Sequence, residues 1–356
     1  ATAGNGGGIL MRSYTPNIDA SLIPQVAGNI IQGNMSLASE RGGGGLYVYT
    51  RYDSPHITQN QIIQNHGDTV GGLKLRLGLS TSIAHISENH IQENYANQVA
   101  AGIALIGPGS FNLEINDISS NVLTNGIFES AGAIAVGPSY NSPFFSYPKE
   151  VHLHSNTIFQ NSGGYSAAVF SRALKNTLTG NTISGNGQSS PPGNDSAFGL
   201  HFEYIGEVII NDSTISDNDV LQNVVYAFYP QRLTVENSTL SVSQNSPSGA
   251  EAIFLYAYET GPGGTDLIVK NNSITNGPID VYQYYNYTEG INVSFEGNHF
   301  TDSGISLITG TSKGYTSEVT VSKNMFERSI LDINWGSSGY GSAKDPLSNT
   351  TSRLSI

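Results

Sequence analysis

The stretch NHIQENYANQVAAGIALI, residues 89–106, contains one copy of the pattern that decides the fold. Asn89 and Asn94 bracket the apolar Ile91, and a run of small residues then leads into the alternating segment Gly102–Ile106. Alternation with a period of two indicates a strand that buries one face. A unit of this size cannot bury that face by itself, so the fold that it indicates depends on whether the pattern repeats along the chain.

The pattern repeats along almost the whole chain. Each copy of the six-residue unit has Asn at its first and sixth positions and an apolar residue at its third. Clear copies begin at Asn29, Asn60, Asn89, Asn116, Asn156 and Asn181, and degraded copies begin at Ser213, Ser238, Asn272, Asn298 and Asn324. Such a repeat is typical of solenoids, in which each unit packs only on its neighbours.

Each repeat also contains a third short strand, such as Lys149–His154, and no stretch of helical period. Three strands and three turns per repeat predict three parallel sheets around one apolar core. We therefore predict an all-β fold, a right-handed single-stranded parallel β-helix (β-solenoid) of about 11–12 coils. Residues 1–335 are expected to form this single domain, and residues 336–356 a Gly/Ser-rich C-terminal tail or cap.

The asparagines of the repeat have a predicted structural role. Tight corners demand the left-handed backbone conformation, which asparagine tolerates. When corners stack in consecutive coils, their amides can hydrogen-bond to one another in a ladder. The sequence therefore predicts an asparagine ladder formed by Asn29, Asn60, Asn89, Asn116, Asn156 and Asn181.

The unit N-x-I-x-x-N followed by G-I-x-L resembles the right-handed parallel β-helix superfamily, in particular its pectate-lyase-like and NosD-like repeats. The resemblance covers about residues 8–335 and implies the fold. It does not imply one function, because this fold hosts lyases, hydrolases, epimerases, adhesins and structural proteins. It also implies a helix that covers the first coil, but here the first coil begins at once with Gly8–Arg12. We therefore expect an uncovered coil end, which invites pairing with another domain or subunit.

The composition favours an extracellular protein, either secreted or at the cell surface. Only 12% of the residues are charged, the formal net charge is −13 and there are no cysteines. The negative charge argues against a nucleic-acid partner, and the lack of cysteine excludes disulfides and thiolate metal sites. No apolar stretch approaches the roughly 20 residues of a membrane-spanning helix.

Eight Asn-x-Ser/Thr sequons would permit N-glycosylation of an extracellular protein. A chain this rich in Asn, Ser and Thr contains sequons by chance, so they do not by themselves argue for glycosylation. The sequons lie at Asn34, Asn194, Asn211, Asn237, Asn271, Asn286, Asn292 and Asn349.

Aromatic residues cluster at the outward positions of three consecutive glycine-led strands. A contiguous aromatic patch usually marks an interface or a ligand groove, and flat sugar faces stack on aromatic rings. A loop or a neighbouring subunit that covers the rings would explain the same pattern. The candidate ligand-binding residues are Tyr226, Tyr256, Tyr258, Tyr282 and Tyr284.

A candidate catalytic set lies on the coils before this cluster. Lyases and epimerases that act on acidic sugars need a cation for the carboxylate, a base for the C5 proton and an acid for the leaving oxygen. Arg172 would supply the cation, His201 or Tyr226 the base, and Glu203 would orient His201. Outward polar residues are also common on solenoid faces by chance. No residue pattern predicts a metal site or a cofactor, although a lyase of this fold would imply calcium.

The leading functional hypothesis is an extracellular structural or adhesive surface β-solenoid that assembles into filaments or larger surface structures. Self-association would occur through the coil ends or the aromatic face. The first alternative is a polysaccharide lyase or epimerase that acts on an acidic glycan. The second is a glycan-binding module without catalysis.

Overall fold

The computed structural model describes residues 7–14, 23–36, 43–126, 129–137, 147–187, 197–204, 206–257, 264–283, 291–309, 316–335 and 351–355. Within these residues every named strand pairs in parallel with a strand of at least one neighbouring coil, and no helix is present. The predicted fold class is confirmed: the chain is an all-β parallel β-solenoid with three main sheets.

Sheet A contains 12 strands, built from the glycine-led segments. In stacking order they are β1 (Ile9–Ser13), β5 (Leu46–Thr50), β9 (Leu73–Leu77), β13 (Ile103–Ile106), β17 (Ile134–Val136), β20 (Ser166–Ser171), β23 (Phe198–Glu203), β26 (Asn223–Phe228), β29 (Glu251–Ala257), β32 (Pro278–Gln283), β35 (Gly304–Thr309) and β38 (Ile330–Trp335).

Sheet B contains 12 strands and sheet C contains 11. Sheet B consists of β2 (Gln25–Ala27), β6 (His56–Thr58), β10 (Ile83–Ser87), β14 (Ser110–Glu114), β18 (Glu150–His154), β21 (Lys175–Thr179), β24 (Glu207–Asn211), β27 (Arg232–Glu236), β30 (Thr265–Lys270), β33 (Ile291–Glu296), β36 (Thr316–Ser322) and β39 (Thr351–Ser355). Sheet C consists of β3 (Ile30–Gln32), β7 (Gln61–Ile63), β11 (His90–Gln92), β15 (Asp117–Ser119), β19 (Thr157–Phe159), β22 (Thr182–Ser184), β25 (Thr214–Asn218), β28 (Thr239–Val242), β31 (Ser273–Thr275), β34 (His299–Thr301) and β37 (Met325–Glu327).

A smaller sheet D of four strands connects sheet C to sheet A in the early coils. Its strands are β4 (Met35–Ser36), β8 (His66–Gly67), β12 (Tyr95–Ala96) and β16 (Val122–Leu123). At the other end, β39 pairs with β36, so residues 351–355 add a strand to sheet B. The predicted tail begins with residues 336–350, which lie outside the described part of the chain.

The apolar third residues of the repeat form one column inside the solenoid. Ile62, Ile91, Ile118, Ile158 and Ile183 lie in register on successive strands of sheet C, and each is 0% exposed. Full burial of one such side chain contributes about 1.5–3 kcal/mol. The largest core cluster continues from Val26 to Val321, so stacking the coils buries what one coil leaves exposed.

Glycine leads the sheet A strands because neighbouring coils approach too closely for a side chain. A Cβ added to Gly72 would lie 2.5 Å from the carbonyl oxygen of Gly102. A Cβ added to Gly102 would lie 2.5 Å from the carbonyl oxygen of Ala133. The glycines therefore allow the backbones of neighbouring coils to pack directly against each other where the chain enters sheet A.

The corners differ from the prediction in one respect. The left-handed residue is the one before each ladder asparagine and not the asparagine, as at Glu88 (φ 56°) and Glu93 (φ 52°). The assignment of this conformation to the asparagines is therefore wrong. The preceding side chain points to solvent, whereas the asparagine side chain must turn into the stack to reach backbone groups of the adjacent coils.

Candidate functional site

The outer face of sheet A carries two columns of side chains that include every candidate catalytic and aromatic residue the structure describes. The first column passes through Phe170, His201, Tyr226 and Phe254, which lie in register on successive strands. The second passes through Glu203, Phe228, Tyr256 and Tyr282. Phe198 also packs on this face, with ring centroids 4.8 Å from His201 and 4.5 Å from Tyr226.

Arg172 sits at the centre of a buried ion network. Its Nε donates to Glu203 Oε2 at 2.8 Å, and its Nη1 forms an ion pair with Glu129. The side chains of Arg172 and Glu203 are only 8% and 4% exposed. Burial opposes the charge of Arg172, but the hydrogen bond that it donates to Glu203 and the charges of both carboxylates outweigh burial and raise the guanidinium pKa. The positive charge of Arg172 is therefore already balanced within the protein.

His201 is enclosed by aromatic rings and has no hydrogen bond. Among the described residues neither ring nitrogen finds a partner, although Glu203 Oε1 lies 3.7 Å from Nε2. Burial, reinforced by the charge of Arg172, lowers the pKa of His201 to about 3, so the imidazole is neutral at pH 7. The ring centroids around it are Tyr165 at 5.2 Å, Phe170 at 5.2 Å, Phe198 at 4.8 Å and Tyr226 at 4.8 Å.

These properties do not suit the roles that the sequence assigns. A general base works best with a pKa near the working pH, and His201 lies far below it. Burial also raises the pKa of Tyr226, which keeps its phenol protonated. Arg172, His201 and Glu203 are brought together as predicted, but they are 6%, 1% and 3% exposed and form part of a packed layer.

The aromatic residues form face-to-face stacks along the solenoid axis. Tyr226 stacks on Phe198 at 4.5 Å with an interplanar angle of 14° and on Phe254 at 5.6 Å and 10°. Tyr256 stacks on Phe228 at 5.4 Å and 21° and on Tyr282 at 5.3 Å and 16°. Each such pair contributes about 0.5–1.5 kcal/mol beyond its buried area.

The direction of stacking limits what this surface can bind. Because the ring faces point along the axis at neighbouring rings, the side of each column presents ring edges. A sugar ring stacks on an aromatic face, and those faces are occupied within each column. Tyr258 and Tyr284, the other two candidate ligand-binding residues, lie outside the described residues.

A carboxylate pair lies at the lower end of the aromatic columns. Glu251 accepts a hydrogen bond from Asn223 Nδ2 at 2.5 Å and adjoins Asp280. Burial, together with the charge and the hydrogen bond of Asp280, raises the pKa of Glu251 to about 8. Glu251 is therefore largely protonated at neutral pH.

Two asparagine ladders flank sheet C. In the predicted one, the backbone N–H and Nδ2 of each asparagine donate to Oδ1 of the next, as from Asn60 to Asn89 at 3.0 Å for both bonds. The column runs from Asn29 through Asn60, Asn89, Asn116, Asn156 and Asn181 to Ser213, Ser238, Asn272, Asn298 and Asn324. The second is formed by the sixth position of the repeat, from Asn34 to Asn218.

The sequons fall into three groups. Asn34 belongs to the second ladder and donates from Nδ2 to Asn65 Oδ1 at 2.9 Å. Asn237, Asn271 and Asn292 are exposed and Asn211 is half-buried. The remaining three, Asn194, Asn286 and Asn349, lie outside the described residues.

The site includes residues that the sequence reasoning missed. Glu129 and Tyr165 lie in turn segments before sheet A, and Glu251 precedes the alternating part of β29. The second ladder had a visible signal, because every clear repeat ends in Asn. For Glu129 and Tyr165 the repeat offers no such signal.

The described part of the chain contains no group of three or more His, Cys, Asp or Glu side chains placed to hold a metal ion. Those residues also include no helix long and apolar enough to cross a bilayer. Scans against protein-family models, curated proteins and solved structures found no match to this chain.

Proposed function

We propose that the protein is an extracellular structural or adhesive surface component, a rigid rod that assembles with other copies of itself end to end. The observation that carries this proposal is the first asparagine ladder, which follows the stack from Asn29 to Asn324. From Asn60 to Asn156 the amide of each rung bonds to both neighbouring coils, so bending the rod would break many bonds at once. Low charge suits a surface whose properties change little with pH and salt.

The packed outer face of sheet A supports a non-catalytic function. Arg172 is balanced by two carboxylates, and His201 is sealed between aromatic rings. The lyase or epimerase alternative needs an accessible cation and base beside an open groove. The glycan-binding alternative needs open ring faces, which the stacked columns use among themselves.

Exposed large apolar side chains occupy outward positions of the first and last described coils, beside the two ends of the stack, and this supports contact near those ends. At the first coil Ile30 is 69% exposed and Met35 is 53% exposed. At the last coils Met325 is 61% exposed and Ile330 is 73% exposed. The two ends differ, so contact between them is head-to-tail and leads to open filaments instead of closed dimers.

Electron microscopy and sedimentation of the purified protein at increasing concentration test this proposal. We expect filaments or a ladder of linear oligomers from the wild type. The double substitution Met325→Glu and Ile330→Glu should abolish them, because it places charge at the contact. Leu174→Glu is the matched control, since Leu174 is 52% exposed on the side of the rod. Monodisperse monomers of wild type at every concentration would contradict the proposal.

A depolymerisation assay tests the enzymatic alternative. Uronic-acid polymers are incubated with the protein, with and without calcium, and unsaturated products are followed by ultraviolet absorbance. We expect no product. Product formation that is lost in Arg172→Ala would overturn the non-catalytic assignment.

A further inference from the structure

The outer face of sheet C differs from the rest of the surface in its order and chemistry. Most of its strands have three residues, of which the first and third point outward. Both ends of each strand are fixed by a left-handed corner, as at Gly180 and Gly185 around β22. Short strands held at both ends leave a narrow, rigid face with two outward columns.

The first column is a row of hydroxyl groups in consecutive coils. Thr157, Thr182, Thr214, Thr239 and Ser273 lie in register, each opposite the next. Parallel pairing spaces these residues by about 4.8 Å. Threonine holds few side-chain rotamers in a strand, so its methyl and hydroxyl groups keep a fixed arrangement.

The second column repeats the same chemistry two residues further along each strand. Ser184 pairs with Ser216, and Ser241, Thr275 and Thr301 follow one another in register. A register shift separates Ser216 from Ser241, and Phe159 precedes Ser184 in the column. A spacing of two residues along a strand corresponds to about 6.6 Å. The two columns together form an array of hydroxyl groups that is continuous in the first column and has one break in the second.

The array is open to solvent and carries no charge. Thr182, Thr214 and Thr239 are exposed, and their hydroxyls make no hydrogen bond to any other described residue. No charged side chain occupies an outward position of β22, β28 or β31. These hydroxyls therefore bond to water, and the fixed sheet geometry imposes its own spacing on that water.

We propose that the outer face of sheet C, from Thr157 to Thr275, binds ice. The spacing of the hydroxyl groups along the first column is close to one repeat of the prism face of hexagonal ice. Water held at such sites is already arranged like a layer of the crystal, so it can join a growing ice surface with little further loss of entropy. The threonine methyl groups fill the spaces between the held waters. This function goes beyond a structural rod.

Measuring thermal hysteresis and ice-crystal shape in solutions of the purified protein tests this proposal. We expect wild type to separate the freezing point from the melting point and to produce faceted crystals. Thr214→Lys, at the centre of the array, should lose both effects, because a long charged side chain prevents close contact with a flat crystal. Thr182→Lys serves the same purpose should Thr214→Lys fail to fold.

The matched control is Thr234→Lys, which changes an outward threonine of sheet B in a neighbouring coil. It should keep the hysteresis of wild type, with circular dichroism confirming the fold of all variants. Wild type that neither separates the two temperatures nor shapes ice would overturn the proposal. Equal activity in Thr214→Lys and wild type, or equal loss in Thr234→Lys, would overturn the assignment to sheet C.

Discussion

Asn94 shows how much a single residue contributes to this protein. It is 0% exposed, and its Nδ2 donates to the carbonyl of Ile62 at 2.8 Å and to Oδ1 of Asn121 at 2.9 Å. Its own Oδ1 accepts the backbone N–H and the Nδ2 of Asn65, both at 3.0 Å. One side chain therefore satisfies polar groups in three consecutive coils.

Replacing Asn94 by Ala should destabilise the protein strongly. The substitution leaves two donors of Asn65 buried without a partner, and each such group costs about 1–3 kcal/mol. We expect a loss of roughly 3 kcal/mol in the free energy of unfolding, measured by urea titration. Asn292→Ala is the control, because Asn292 is exposed and makes one bond to Asp266 at 3.0 Å. Similar losses in both variants would refute the importance of burial in the ladder.

The buried imidazole of His201 makes stability depend on acidity. Its pKa is lowered from 6.5 to about 3, so below pH 6.5 the unfolded chain binds a proton that the folded protein does not. Stability from this group is fully present above pH 6.5 and is lost as the pH falls towards 3. The slope is at most about 1.4 kcal/mol per pH unit.

His201→Leu should remove this pH-dependent contribution to stability, because leucine does not titrate. The free energies of unfolding of the variant and wild type, measured between pH 7 and pH 4, should converge or cross in favour of the variant as the pH falls. Two parallel profiles would show that His201 is not held neutral in the folded protein.

At the scale of elements, the corners explain what the sequence could and could not predict. Alternating strands and their stacking follow from the repeat alone, since only stacking buries the apolar third position. The position of the left-handed residue does not follow, because Glu88, Ile115 and Gly180 share a conformation but no chemistry. The repeat leaves the register at Tyr226 open by one residue, and the structure places Tyr226 directly beside His201. It does not predict Glu129 or Tyr165, whose turn segments vary in length and path.

Ile115 occupies a corner that strains it. It has φ of 54° and is 57% exposed, although branched side chains are disfavoured in the left-handed region. Ile115→Asn should raise the free energy of unfolding by about 1 kcal/mol, since the left-handed conformation costs an ordinary residue about 1–2 kcal/mol. Thermal unfolding followed by circular dichroism measures this change. A lower melting temperature in Ile115→Asn would contradict the strain.

At the scale of the whole molecule, every functional proposal depends on one continuous stack of coils. End-to-end assembly needs a rigid rod, and ice binding needs threonines held at a constant spacing. Sheet B offers a column for testing this continuity, because Thr58, Ser87, Glu114 and the residues below them lie in register down to Ser322.

The most direct test is the distance between spin labels placed along this column, measured by pulsed electron paramagnetic resonance. The chain has no cysteine, so introduced cysteines are the only labelling sites. One variant carries cysteines in place of Thr58 and Thr179, and a second carries them in place of Thr58 and Ser322. Thr58 and Thr179 lie four coils apart and Thr58 and Ser322 nine, which predicts separations of about 19 Å and about 43 Å at 4.8 Å per coil. Narrow distance distributions near these two values would support the continuous stack. Broad distributions, or separations that do not grow in proportion to the number of coils, would contradict it.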